Sequence, residues 1–402
     1  MRRKRPPYFT HILLFLLSLV STIMVGAELA TNRSWFWGGE DALTLADWPA
    51  GLAYSLSFLT FLTFHEFGHY LTAVYYKVRT SLPFYIPFYI PGMFNIGSMG
   101  AVIRLKQVPS STRKFFDIGI AGPLAGFVIS IILLSYGFTH LPDKEEYLFP
   151  INPTYVTDYG KVPTEAEMMQ IIEAQSAALA AEAEANGEES VLSMAYYHVG
   201  TSLLFEWLKN VLPEDPNQVP NHFDLIHYPF LFVGYITLFF TALNLLPIGQ
   251  LDGGHIVYGM FGRQTAGIIA RITVLALMLM GGTGLVDVAM TYWVDWLILG
   301  VYVMFLLYVC RKVLGAEQIW QPVALMASIL LIQGLVKWQY PELQMNFIWL
   351  LYAGMVTRLV GLDHPEAYIE HRVNLPRQIL GWVAIAIFIL CFTPVPLDLV
   401  IG

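Results

Sequence analysis

Charge is scarce in this chain of 402 residues: Asp, Glu, Lys and Arg together make up 13%, about half the share of an average soluble domain. Cysteine is nearly absent. Cys310 and Cys391 are the only two, and both lie inside apolar runs, which excludes a disulfide framework and a thiolate metal site. No basic patch has the footprint of a nucleic-acid binder, so nucleic acid is excluded as a partner. The formal charge of −8 carries little information, because the charges are segregated along the chain. What is abundant is apolar sequence. Hydrophobic residues reach 56%, and runs of membrane-spanning length recur from end to end. The expectation is an all-α polytopic membrane protein with eight or nine transmembrane spans, whose solvent is a lipid bilayer.

Arg2, Arg3, Lys4 and Arg5 precede a run from Ile12 to Val25. Basic residues stay on the cytoplasmic side, which puts the N-terminus inside; the rival reading is a cleaved signal peptide ending near Ala27 or Ala30. The next run, Ala50 to Tyr76, then passes from outside to inside, in agreement with Lys77 and Arg79 after it. Ser81 to Leu105 is apolar but carries Pro83, Pro87, Pro91, Gly97 and Gly100, so it predicts a re-entrant β-hairpin or loop with a short strand at Ala101, Val102 and Ile103. The alternative is a loop lying on the headgroups. A span from Phe115 to Phe138 contains Gly119, Gly122, Pro123 and Gly126, small residues that admit another helix closely. Residues 139–226 hold 15 of the 30 acidic residues and three basic ones, a bias that fits the outer side. Within this segment Glu165 to Ala185 reads as an exposed helix and Val199 to Leu212 as an amphipathic one. Further runs are Tyr228 to Leu246, Ile272 to Val286, Trp293 to Val309, Val323 to Val336, Phe347 to Leu359 and Ile379 to Phe392, with Asp287, Lys337 and Glu342 among the interruptions. The expected organisation is an N-terminal helix (1–30), the first part of a catalytic core (50–138), an acidic extracytoplasmic insert (139–226), a third core helix (227–262) and C-terminal spans (263–402).

Inside the second run stands His65-Glu66-Phe67-Gly68-His69, which reads H-E-x-x-H. On a helix, residues i and i+4 share a face, so His65 and His69 can hold one Zn²⁺, while Glu66 lies about 100° round and is placed to act on water without being a ligand. Three ionisable groups within a bilayer-length segment are costly and mark a functional site. A catalytic zinc takes three protein ligands and one open position. Asp252 is the carboxylate at matching depth, at the inner end of the run that closes with Asn244-Leu245-Leu246-Pro247 and continues to Asp252-Gly253-Gly254-His255. His255 competes for the third place, and His364 reads as structural. Asn244 both donates and accepts, which suits an extended peptide backbone.

These motifs resemble the site-2 protease family of intramembrane zinc metalloproteases. The likeness rests on His65-Glu66-Phe67-Gly68-His69, on Gly119 to Gly126 with its Ala-Gly-Pro centre, and on Asn244-Leu245-Leu246-Pro247 running to Asp252-Gly253. It implies a three-helix metalloprotease core, one Zn²⁺ per chain on His65, His69 and Asp252, and Glu66 as the base that activates water. Asn244 would position the substrate, and a strand through Gly97, Ala101, Val102 and Ile103 would pair with it once unwound. The substrate would be a transmembrane protein, cut within or near its helix; oligomeric state is left open. Two departures are present: Ala125 is followed by Gly126 where the family often has asparagine, and no PDZ domain is evident. The extra C-terminal spans look like those of larger bacterial relatives, which implies the bacterial inner membrane with the site toward the cytoplasm. The competing classes are a catalytically inactive relative that only binds membrane substrates, and a divalent-metal transporter. The transporter would favour inverted repeats, and none is visible.

Overall fold

The computed structural model describes residues 8–186, 195–285 and 293–401, with 342, 344 and 345 excepted. The basic cluster at Arg2 to Arg5, Asp287 and Glu342 therefore lie outside the described residues. In chain order the elements are α1 (Phe9–Thr31), α2 (Leu52–Tyr75), β1 (Phe84–Pro87), β2 (Ser98–Val102), α3 (Thr112–Thr139), α4 (Lys144–Leu148), α5 (Glu165–Asn186), β3 (Ala195–Val199), α6 (Leu203–Val211) and α7 (Pro229–Leu245). There follow α8 (Asp252–Phe261), α9 (Arg263–Gly282), α10 (Trp293–Leu314), α11 (Trp320–Gln339), α12 (Phe347–Met355), α13 (Leu375–Cys391) and β4 (Leu397–Ile401). The protein is mostly helical and largely membrane-embedded. Among the described residues five helices are long and apolar enough to cross a bilayer: α1, α3, α9 with its short extension, α10 and α11. The α7, α12 and α13 helices are apolar but shorter. The α2 helix has 24 residues yet falls outside the five, because its Ser, Thr, His and Glu side chains lower its hydropathy.

Two compact units divide the chain: residues 1–107, 121–242 and 389–402 form one, and 108–120 with 243–388 form the other. In the first, α1 and α2 meet through a buried hydrogen bond of 2.6 Å between the Thr22 and Ser55 hydroxyls. The β1 and β2 strands form an antiparallel hairpin, with Phe84 opposite Val102 and Tyr85 opposite Ala101. Both helices hold it. Ser21 Oγ donates to the Gly97 carbonyl at 2.6 Å, Tyr54 Oη donates to the Ile96 carbonyl at 2.9 Å, and the Tyr85 and Thr63 hydroxyls lie 2.7 Å apart. Gly97 has φ +81°, and a Cβ there would come within 2.6 Å of Thr22 Cα, so only glycine lets the hairpin approach α1 so closely. The strand anticipated at Ala101, Val102 and Ile103 starts earlier, at Ser98, and ends at Val102.

The acidic segment belongs to this first unit. Its α5 helix opens as anticipated at Glu165, where Thr164 and Glu167 bond reciprocally in a capping box. A strand precedes the amphipathic helix. Residues 195–199 are strand, because β4 from the chain's far end supplies a partner, pairing Ala195 with Ile401 through Val199 with Leu397. A pairing between segments about 200 residues apart leaves no local signal, so this strand was not anticipated. The helix expected over Val199 to Leu212 is present as α6, Leu203–Val211, starting later because Val199 closes β3.

In the second unit the Arg377 guanidinium makes two bonds of 2.7 and 2.8 Å to the Asp117 carboxylate, both side chains being mostly buried. The paired geometry compensates two charges that would be costly alone.

Candidate metal centre

The α2 helix is continuous through the H-E-x-x-H motif, so His65 and His69 stand one turn apart on a single face. Both imidazoles and the Glu66 carboxylate are buried. The two Nε2 atoms are 3.1 Å apart, and the rings are nearly perpendicular, at 75°. Two nitrogens bound to one tetrahedral zinc with bonds of 2.0–2.1 Å are separated by about 3.3 Å, so the imidazoles already stand at the spacing a shared ion needs.

The glycine-rich run of α3 lies against these rings. Gly68 meets α3 backbone to backbone: a Cβ on it would fall 2.5 Å from the Ala121 carbonyl oxygen. A Cβ on Gly122 would fall 2.0 Å from His69 Nε2, and one on Gly126 would fall 2.8 Å from Phe61 Cε2 and 3.3 Å from His65 Nδ1. The small residues thus do more than admit a neighbouring helix. They leave the volume that the two imidazoles fill. The sequence displayed the small residues but not which side chains would occupy their place.

Asp252 is positioned by a break in the chain. The α7 helix ends at Leu245, and residues 246–251 turn through short-range bonds from Ile248 N–H to the Leu246 carbonyl and from Leu251 N–H to the Ile248 carbonyl. Asp252 is the first residue of α8, where a carboxylate faces the positive end of the helix dipole. Gly253 allows the turn to close, since a Cβ there would lie 2.0 Å from the Leu245 carbonyl oxygen. The segment 227–262, expected to hold the third core helix with the Asp-Gly motif, contains α7 and α8, and the N-x-x-P to D-G motif spans the break between them. Asn244 lies at the end of α7, half-buried.

His65, His69 and Asp252 form a group able to hold a metal ion, one ligand atom of each lying within 4.8 Å of the others. Two imidazoles and a carboxylate are a donor set that zinc accepts, with a fourth position left open. His255, the competing third ligand, places its Nδ1 2.6 Å from His364 Nε2, and His364 stacks on Tyr258.

A buried H-E-x-x-H helix whose two histidines group with an aspartate from another helix, in a protein of apolar membrane-length helices, is the pattern of the membrane-embedded zinc metallopeptidase class. More particularly, residues 53–281 match the family model of peptidase family M50, and the chain belongs to that family. Among curated proteins it is similar to the probable zinc metalloprotease EGY1, chloroplastic, of Oryza sativa subsp. japonica, at 26% identity over 64% of this chain and 38% of that protein. The protein of the same name in Arabidopsis thaliana is 27% identical over 68% of this chain and 44% of its own length. The probable zinc metalloprotease EGY2, chloroplastic, of Arabidopsis thaliana is 27% identical over 61% of this chain and 34% of its length. The chain thus spans less than half the length of these relatives. No solved structure matches it.

Proposed function

We propose that this protein is a zinc-dependent intramembrane endopeptidase that hydrolyses peptide bonds in or near the transmembrane helices of other membrane proteins. The observation that carries the reading is the pair of Nε2 atoms 3.1 Å apart in one group with Asp252, next to a buried Glu66. Zinc, when bound there, polarises a carbonyl and makes water a better nucleophile at neutral pH. Glu66 takes the proton of the attacking water and passes it to the leaving amine. Its neighbouring position on the helix gives it this task without making it a ligand. A set of three ligands and a separate base is tested by metal analysis of purified protein. His65→Ala, His69→Ala and Asp252→Ala are each expected to lose the ion of this centre, and wild type to cleave a transmembrane substrate only with the metal in place. Zinc kept at that centre by Asp252→Ala would move the third ligand elsewhere. A metal-loaded wild type that binds helices without cutting them would favour an inactive relative.

A transmembrane helix satisfies its own backbone, so some turns must unwind before a carbonyl is exposed. We assign the free edge of β2 to hold the unwound stretch by strand addition, with Asn244 taking further backbone groups. The assignment draws on the two-stranded hairpin, which has no third strand among the described residues. On the β1 side the Ser81 N–H donates to the Arg104 carbonyl and the Arg104 N–H donates to Ser81 Oγ. By the two-residue alternation, Val102 faces the same side, whereas Ala101 and Ile103 turn their N–H groups to the open edge, and Gly97 supplies the bend. Ala101→Pro removes one donor from that edge. It is expected to slow cleavage of a stable helix about tenfold while a substrate already weakened by glycine or proline loses less. An equal loss on both substrates would mean that the hairpin itself had failed.

The apolar runs support eight or nine spans with the hairpin re-entrant, the distribution of Lys and Arg supports the metal centre toward the cytoplasm and 139–226 outside, and the likeness of the C-terminal spans to larger bacterial relatives supports a bacterial-type inner membrane. Single cysteines introduced at Ser176 and Thr265 are expected to react with an impermeant reagent from opposite sides, and labelling of Ser176→Cys from the cytoplasm would overturn the scheme.

A further inference from the structure

A second cluster of metal-ligating side chains lies outside the core site, in the acidic segment. Glu165 at the start of α5, His198 on β3 and His222 in the turn before α7 each offer a ligand atom, all within 4.8 Å of one another. We propose that these three residues form a second divalent-cation site, of the zinc class, that ties the strand, the helix and the turn together.

His222 is buried. Its Nδ1 lies 2.8 Å from the Val199 carbonyl oxygen. A carbonyl only accepts, so the proton is on Nδ1 and the lone pair is on Nε2. A hydrogen bond of this kind orients imidazoles that bind metals and fixes the atom they present. The reciprocal bond from Val199 N–H to the His222 carbonyl, at 3.1 Å, locks the residue to the end of β3.

The second imidazole comes from that same strand. His198 stacks on His222 with centroids 5.2 Å apart, and its Nε2 donates to Glu165 Oε1 at 3.1 Å. The surrounding frame is independently braced. Asn221 donates to the Pro163 carbonyl at 3.0 Å and to Asp224 at 2.8 Å, and Tyr155 Oη donates to Asp224 at 2.8 Å. These bonds bring the His222 turn to the start of α5, beside Glu165. Two imidazoles and one carboxylate suit zinc and its neighbours rather than calcium or magnesium, which take oxygen donors.

A lysine guards the position. Lys209 Nζ donates to His222 Nε2 at 3.0 Å and lies 3.5 Å from Glu206 Oε1. Glu206 is itself fixed by Thr201 at 2.8 Å. A divalent ion would take over the His222 lone pair, and Lys209 would swing to Glu206. At His198 the ion would replace the proton on Nε2, which moves to Nδ1.

The full chain purified in detergent, with zinc as the only added metal, tests the proposal. Wild type is expected to hold about two zinc ions and a His65→Ala/His69→Ala background about one. In that background His198→Ala and Glu165→Gln each weaken retention against a chelator by about 100-fold or more, with circular dichroism unchanged. Lys209→Met strengthens it, since a competing cation is gone. His198 and Glu165 are chosen because they are partly exposed, so their replacement spares the fold. Should the background variant not purify, a wild-type count that falls from about two to about one with His198→Ala reads the same site. A background that retains no zinc, or retention indifferent to His198→Ala, overturns the proposal. Neither result bears on the core centre, whose own ion is counted separately.

Discussion

Replacing Glu66 with glutamine is expected to reduce the rate of peptide cleavage by about two to four orders of magnitude, the range associated with loss of a positioned general base, with zinc still bound. The side chain keeps its size and its ability to hydrogen-bond but no longer takes a proton. Glu66 is buried on the helix that carries both imidazoles, so a neutral amide there is easier to accommodate than the carboxylate, and the fold should not suffer. The measurement is single-turnover cleavage of a transmembrane substrate alongside the metal count. A variant that loses zinc in proportion to activity would make Glu66 a ligand. A variant that keeps most of its activity would remove it from the chemistry. A retained but uncut substrate, recovered with the variant and identified by mass spectrometry, would also name the natural target.

Gly122→Ala is the second large effect. Helix propensity alone favours alanine over glycine by about 1 kcal/mol in a helix interior, so a reading limited to α3 predicts a more stable protein. The tertiary contact decides otherwise. The added Cβ would sit 2.0 Å from His69 Nε2, far inside contact distance. The ring has little room to retreat, since Gly68 beside it is already against the α3 backbone. Expulsion of the imidazole is expected to cost about 100-fold or more in zinc affinity and about 1–3 kcal/mol in stability. Gly126→Ala serves as the comparison. Its Cβ meets the edge of the Phe61 ring at 2.8 Å and His65 Nδ1 at 3.3 Å, and a phenyl ring swings more easily than a packed imidazole. Zinc retention after chelation should rank wild type, then Gly126→Ala, then Gly122→Ala. Equal retention in the two variants would mean that α3 shifts as a whole and that the glycines serve helix packing alone.

The membrane character of the chain and the helix that carries His65, Glu66 and His69 were legible from composition and spacing, because those properties are local. Periodicity places i and i+4 on one face, and an apolar run of bilayer length needs no partner to be recognised. The hairpin was legible as well, since Pro83, Pro87 and Pro91 at four-residue spacing, followed by Gly97, leave no run in which a helix could close its hydrogen bonds. Its boundaries were not, because the first and last paired residues depend on what lies opposite, and Ser98 is paired with Pro87 while Ile103 lies past the strand's end.

Determined by the sequence itself were a polytopic helical protein and a set of chemical groups suited to zinc and to proton transfer, since residue types and short spacings specify both. Only the tertiary structure decided what fills the space beside each group. It set Gly122 and Gly126 against the imidazoles, turned His255 toward His364, paired β3 with a strand from the far end of the chain, and gathered Glu165, His198 and His222 from separate stretches of sequence. The physical reason is the range of the forces involved. Helix formation and burial are written in neighbours a few residues apart, whereas a contact between distant segments exists only once the chain has closed the loop between them.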